Sequence, residues 1–277
     1  MMVRDDDLIQ FAASGPTGLP TANKSGTVEI SGARIWYASF GQGPAVVLLH
    51  GGMGNATNWG FQVQALVEAG YWAIVIDSRG QGRSSNDGRP FSYSQMADDA
   101  LAVLDTLAVD IAAFIGWSDG ACTALILSDK HPTRSAGIFF FACNVDDTGT
   151  KPFVYTEVIG RCLERHKKDW AALSPTPDAF DATFEAVGVM QRSQPNYGAS
   201  DLGRIQVPVW SVLGEHDEFI KREHAEYLAE TIPGASLHML SGVSHFAPVQ
   251  RPDVFNAAML AFLSALPPWH EIRKVTN

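Results

Sequence analysis

Gly116-Trp117-Ser118-Asp119-Gly120 follows the apolar run Ile111–Gly116 and opens the helical stretch Ala121–Ser128. A G-x-S-x-G pentapeptide set between a strand and a helix is the sequence form of a nucleophile elbow. The turn requires a strained backbone that only small neighbours at positions 116 and 120 permit. In return, the serine Oγ stands clear of the sheet at the positive end of a helix. The pentapeptide alone would arise by chance in about one chain in ten of this length. Its weight comes from the strand before it and the helix after it.

On either side of the elbow, strand and helix alternate. Thr27–Ile30 and Arg34–Phe40 read as strands, and Ala45–Leu49 is a fully apolar run of the kind buried on both faces of a parallel sheet. Helix Trp59–Ala69, strand Trp72–Ile76 and helix Ser92–Leu107 precede the elbow, the last with Asp98, Asp99 and Asp105 expected to face out. After it come strand Gly137–Cys143 and, later, strand Val207–Leu213, helix Lys221–Glu230, strand Ser236–Leu240 and helix Pro252–Leu266. This order predicts βαβ units with right-handed crossovers in one parallel sheet. Residues 145–203 break the alternation with Pro152, Pro175, Pro177 and Pro195, and hold helical stretches near 153–171 and 178–192. The expected division is an irregular arm over 1–25, a sheet core over 26–144 and 204–277, and a helical cap over 145–203.

His50-Gly51-Gly52-Met53-Gly54 leaves the end of Ala45–Leu49, at the same sheet edge as the elbow. Its small residues let a backbone N–H, that of Gly52 or Met53, point at Ser118; with the N–H of Asp119 it forms an oxyanion hole. Gly52-Met53-Gly54, followed by Asp77 at the next strand end, also mimics a dinucleotide fingerprint. Thr57 stands where the third glycine should, and His50 intrudes between strand and glycines.

A serine triad on such a sheet runs Ser, then Asp or Glu, then His. Asp217 in Leu213-Gly214-Glu215-His216-Asp217 and His245 in Gly242-Val243-Ser244-His245-Phe246 each follow an apolar strand. Ser118, Asp217 and His245 are therefore the expected catalytic set, with Glu215 and Glu218 as alternates for the acid. His131, His166, His224 and His238 sit in or beside helices and strands and read as structural, and His50 as a structural part of its loop. His216, Asp217 and His245 lack any paired metal-ligand spacing, so no metal is expected.

The net charge of −10 and the absence of a long basic run exclude a nucleic-acid footprint and disfavour anionic membranes. Cys122, Cys143 and Cys162 are odd in number, lack metal spacing and read as reduced core thiols. The acidic first residues carry no secretory pattern, and no apolar run approaches the roughly 20 residues of a membrane span. A cytoplasmic protein with a small-molecule substrate is expected, monomer or homodimer.

Five segments together resemble the α/β-hydrolase superfamily: His50-Gly51-Gly52, Asp77–Ser84, the elbow, Gly214–Asp217 and Ser244–Phe246. The resemblance implies a mostly parallel eight-stranded sheet flanked by helices, with a helical lid between strands six and seven. It also implies hydrolysis through an acyl-serine without a cofactor, and a structural role for Asp77–Ser84. The elbow is most similar to that of the valacyclovir-hydrolase (biphenyl-hydrolase-like) group, with Trp before and Asp after the nucleophile. In that group the acidic residue binds a substrate amino group, which carried to Asp119 implies amino-acid esters. A carboxylate in the first turn of a helix is also favoured by the helix dipole without any ligand. Ala121 departs from that group, which commonly has glycine there.

The expected activity is hydrolysis of a small carboxylic ester, thioester or lactone. C–C bond hydrolysis and cofactor-free perhydrolysis use the same machinery, and a non-catalytic binding protein on this fold is the alternative outside enzymes. Trp117 and Trp59 are expected pocket residues beside Asp119, with Met53 and the cap aromatics Phe153, Tyr155, Trp170, Phe180 and Phe184 next; core packing competes for each aromatic.

Overall fold

The structure, a computed structural model, describes residues 6–268. Lys24–Ile30 (β1) turns alternate side chains partly inward and pairs antiparallel with Ala33–Gly41 (β2) across the Ser31-Gly32 turn. Ala45–Leu49 (β3), Trp72–Ile76 (β4), Ala112–Trp117 (β5), Ser135–Phe141 (β6) and Val209–Gly214 (β7) are buried along nearly their whole length. That is the signature of strands covered on both faces. Ser236–Leu240 (β8) closes the far edge. The eight-stranded sheet has the order β1-β2-β4-β3-β5-β6-β7-β8, and every pairing beyond β2–β4 is parallel.

The chain enters on helix Asp6–Ser14 (α1). Gly60–Glu68 (α2), Tyr93–Thr106 (α3) and Asp119–Lys130 (α4) connect the early strands. Between β6 and β7 lie Glu157–Leu173 (α5), Phe180–Ser193 (α6) and the short Ala199–Leu202 (α7), a helical insertion between two strands of the sheet. Arg222–Thr231 (α8), Ala247–Gln250 (α9) and Pro252–Ala265 (α10) follow. The two sheet faces carry separate cores. Side chains of α3, α4 and α8 pack on one, and those of α1, α2, α9 and α10 on the other. No helix among the described residues is long and apolar enough to cross a membrane.

The irregular arm expected over residues 1–25 is corrected in two places. Asp6–Ser14 is helical because Leu8 and Phe11, three residues apart, bury one face against α5 and α9. One turn of periodicity is too short a signal to stand out beside Gly15, Pro16 and the flanking charges. β1 also begins at Lys24, inside that arm. Residues 1–5 of the arm and 269–277 of the second core segment lie outside the described residues. Asp99, expected to face out, is buried; its carboxylate takes Arg79 Nε at 2.8 Å and Arg79 Nη2. Arg79, itself buried, also reaches Asp87 at 3.1 Å and the Ile30 carbonyl at 3.3 Å, tying the loop after β4 to β1 and α3.

Candidate active site

β3 and β5 run side by side with Leu49 opposite Gly116, so the loop His50–Gly54 and the elbow leave the sheet together. Ser118 has φ 53 and ψ −123, a backbone conformation costly for any residue with a Cβ. Its amide is held by the Phe141 carbonyl at 2.9 Å. The two elbow glycines have separate reasons. A Cβ on Gly116 would stand 2.4 Å from the Ala121 Cα where α4 folds back, and one on Gly120 would stand 2.0 Å from the Leu49 carbonyl oxygen.

The neighbouring loop is held by buried polar side chains. His50 Nε2 accepts the Ser78 N–H at 2.9 Å, so its proton sits on Nδ1, which donates to the Gly51 carbonyl at 2.7 Å. Burial pushes the His50 pKa down against the pull of Asp77. Asp77 accepts the Ala56 N–H at 2.6 Å, the Arg83 N–H at 2.7 Å and Arg83 Nη1 at 2.9 Å, a structural role rather than a ribose contact. Met53 (φ 62) donates its N–H to Gln81 Oε1 at 2.6 Å, so that amide, one of the two expected to point at Ser118, is engaged elsewhere. A Cβ on Gly51 would lie 3.2 Å from the Ser118 Cβ, a measure of how closely loop and elbow approach.

At the ends of β7 and β8, His245 Nδ1 donates to Asp217 Oδ2 at 2.9 Å, with both side chains buried. Asp217 Oδ1 accepts the amides of Phe219 at 2.8 Å and Ile220 at 2.7 Å, which fixes the carboxylate plane. The Nδ1 tautomer leaves Nε2 as the basic nitrogen. Burial alone would lower the His245 pKa; the charge and hydrogen bond of Asp217, joined by Glu218 and Asp119, outweigh it and raise it. The ring lies 6.3 Å from that of Trp117, the residue before the serine. Among the described residues Ser118 Oγ makes no hydrogen bond. Of the alternates for the acid, Glu218 accepts the His245 backbone N–H at 2.9 Å, and Glu215 accepts the Gly242 N–H at 2.9 Å.

Asp119 is 4% exposed, and its carboxylate faces the site. Oδ1 accepts the Tyr93 O–H at 2.8 Å and Gln191 Nε2 at 3.0 Å; Oδ2 accepts the same amide at 3.1 Å. Burial raises its pKa, opposed by those hydrogen bonds and by His245. No cation pairs with it among the described residues. A Cβ on Gly52 would stand 2.6 Å from Asp119 Oδ2, so the carboxylate borders the His50–Gly54 loop. Tyr93 and Gln191 are functional candidates the sequence reading missed; neither carries a motif, and only the fold joins them to Asp119.

The expected pocket residues Trp59 and Trp117 belong to the core. Trp59 is fully buried, and the two rings meet edge-to-face at 6.1 Å. Trp117, at the end of β5, and Trp59, on the 3-10 turn before α2, lie in the core on the sheet face opposite α4, with Phe255 against Trp59 and Phe246 against Trp117. Of the cap aromatics, Trp170 and Phe180 pack against each other, while Phe153, Tyr155 and Phe184 are exposed. The sulfurs of Cys122 and Cys143 lie 3.0 Å apart as free thiols behind Asp119, and Cys162 is also buried and free. His224 accepts the Val145 N–H at 3.0 Å, and His238 stacks on Trp210. No group of three or more His, Cys, Asp or Glu side chains among the described residues is placed to hold a metal ion.

Comparison with known proteins gives a consistent result. The profile described as "Alpha/beta hydrolase family" matches residues 46–258. Human "Serine hydrolase BPHL" is 29% identical over 268 residues, covering 92% of this chain and 92% of that protein. The 2-hydroxy-6-oxononadienedioate/2-hydroxy-6-oxononatrienedioate hydrolase of Escherichia coli K12 is 26% identical, covering 83% of this chain and 91% of that one. The solved structure of Est816, described as an N-acyl homoserine lactone degrading enzyme, is 30% identical with a TM-score of 0.68. It covers 86% of this chain and all of that one. With the family profile spanning both the elbow and the His245 loop, the chain belongs to the alpha/beta hydrolase family and is a hydrolytic enzyme.

Proposed function

We propose that this hydrolase cleaves a small carboxylic ester, thioester or lactone through an acyl-Ser118 intermediate, and that its preferred acyl groups carry a cationic amine. The observation that carries the first part is the buried His245–Asp217 pair at 2.9 Å beside the strained Ser118 elbow. His245 Nε2 takes the Ser118 proton as Oγ adds to the carbonyl carbon, and the new oxyanion accepts the N–H groups of Gly52 and Asp119. Collapse of that adduct expels the alcohol, which receives the proton from His245. Water, deprotonated by the same nitrogen, then releases the acid and restores Ser118. The serine–imidazole contact closes when substrate binds, as is common for catalytic hydrogen bonds that are slack in the free enzyme.

Support for the second part comes from Asp119. Its buried carboxylate has hydrogen-bond donors but no cationic partner among the described residues, and it borders the oxyanion loop. A substrate ammonium there would gain a charge-assisted bond in a low-dielectric setting.

The test is a panel of esters, lactones, amides and diketones assayed with wild type and Ser118→Ala. Ester turnover lost in Ser118→Ala, together with organophosphate labelling of Ser118 in the wild type, is the expected result. Near-full activity in the variant rejects the assignment, and turnover confined to diketones favours C–C cleavage instead.

A further inference from the structure

Asp217 is held from two sides. Its carboxylate Oδ1 takes the amides of Phe219 and Ile220, as described, but its backbone carbonyl takes a side chain from the cap. Lys151 Nζ, on the strap leading from β6 to α5, donates to the Asp217 carbonyl at 2.6 Å. The same strap is zipped along the segment that follows the acid. Lys151 N–H donates to the Phe219 carbonyl at 2.7 Å, Lys221 N–H to the Gly149 carbonyl at 2.9 Å, and Thr150 bridges Ile220 in antiparallel fashion. Beyond the zipper, Phe153 stacks on Phe219 at 6.3 Å, and Phe219 sets its ring edge-to-face on His245 at 4.7 Å.

We infer that Lys151 is a positioning residue for the acid Asp217, through which the entry strap of the cap sets the orientation of His245. The inference rests on the assignment of Ser118, His245 and Asp217 proposed above. The physical case is that the two amides gripping the carboxylate belong to the very residues the strap pairs with. A charge-assisted bond to the carbonyl of 217 then fixes the remaining peptide plane of the turn. Loss of the ammonium frees that plane, and the carboxylate loses its in-plane aim at Nδ1.

Lys151 is solvent-exposed, so Lys151→Met is expected to fold. With p-nitrophenyl acetate, Lys151→Met is expected to lower kcat about tenfold with KM changed less than about twofold, while Lys151→Arg stays within about twofold of wild type. In an Asp217→Asn background the same Lys151→Met change should cost less than about twofold, because the group it positions is already lost. Proton NMR gives a readout independent of turnover: the downfield Nδ1–H resonance of His245 should be sharp in wild type and broadened or lost in Lys151→Met. An unchanged resonance, an unchanged kcat, or a full tenfold loss persisting in Asp217→Asn overturns the inference. Wild-type turnover in Asp217→Asn or Ser118→Ala would instead reject the underlying triad, and the resonance would still judge Lys151.

Discussion

Gln191 of the cap grips the carboxylate of Asp119, its Nε2 lying 3.0 Å from one oxygen and 3.1 Å from the other. The inserted helices and the sheet therefore meet on the residue next to Ser118. Asp119→Asn keeps the size and much of the hydrogen bonding but removes the charge. It should lower kcat/KM for aminoacyl esters about thirtyfold more than for neutral esters of equal size, the effect of deleting one partner of a buried charge pair. Paired assays on a cationic ester and its uncharged isostere check this; equal losses dispose of the amine subsite.

The pH dependence has a definite sign. In the proposed mechanism His245 must be neutral at Nε2 to accept the serine proton, and its pKa is raised above 6.5 because Asp217, Glu218 and Asp119 together outweigh burial. Activity should thus fall as pH drops through a value above that of a free imidazole. Glu218→Gln removes one of the raising charges without touching the Asp217 bond, and should move the acidic limb of the kcat/KM profile to lower pH. A limb that stays put in that variant would remove Glu218 from the set.

Two adjacent aspartates on α3 should differ in their weight for stability. Asp99 is buried against Arg79, and truncating it leaves the buried guanidinium to Asp87 and the Ile30 carbonyl alone; Asp99→Ala should cost about 1.5–3 kcal/mol. Asp98 meets Lys130 at the surface, both partly exposed, and Asp98→Ala should cost under about 1 kcal/mol. Urea unfolding of the two variants separates them directly.

The elbow predicts an inverted ranking of stability. At most positions alanine is the more stabilising of the two smallest residues, but at φ 53 and ψ −123 the Cβ is a burden. Ser118→Gly should exceed Ser118→Ala in unfolding free energy by about 1 kcal/mol, although both lack the hydroxyl. Denaturation midpoints of the two variants decide it.

What could be read from the sequence was what sits at strand ends. Ser118, Asp217 and His245 each follow an apolar run at a spacing that topology turns into one sheet edge, and the sheet itself follows from strand–helix alternation. Side-chain partners across the fold were not legible. Asp119 meets Tyr93 and Gln191, which lie 26 and 72 positions away, and no local pattern marks either. Asp99 looked like part of a solvated helix face because its partner, Arg79, lies in another segment. Trp117 and Trp59 were expected in the pocket because they neighbour the motifs. Yet a strand sends successive side chains to opposite faces, and Trp117 points into the core behind Ser118.

Helix α1 gives the cap a constraint that its own connections do not. Leu8 and Phe11 are buried in the cluster that holds Ile159 and Cys162 of α5 together with Ala247 and Val249 of α9, the helix just after His245. Lifting α5 away from α9 would wet one face of α1, at about 1.5–3 kcal/mol for each large side chain exposed. A molecule with that seam parted is then a minority of about one in a hundred or fewer at equilibrium. The seam between α5 and α9 therefore stays shut in nearly every molecule, and α1 acts as a latch on that side of the inserted helices.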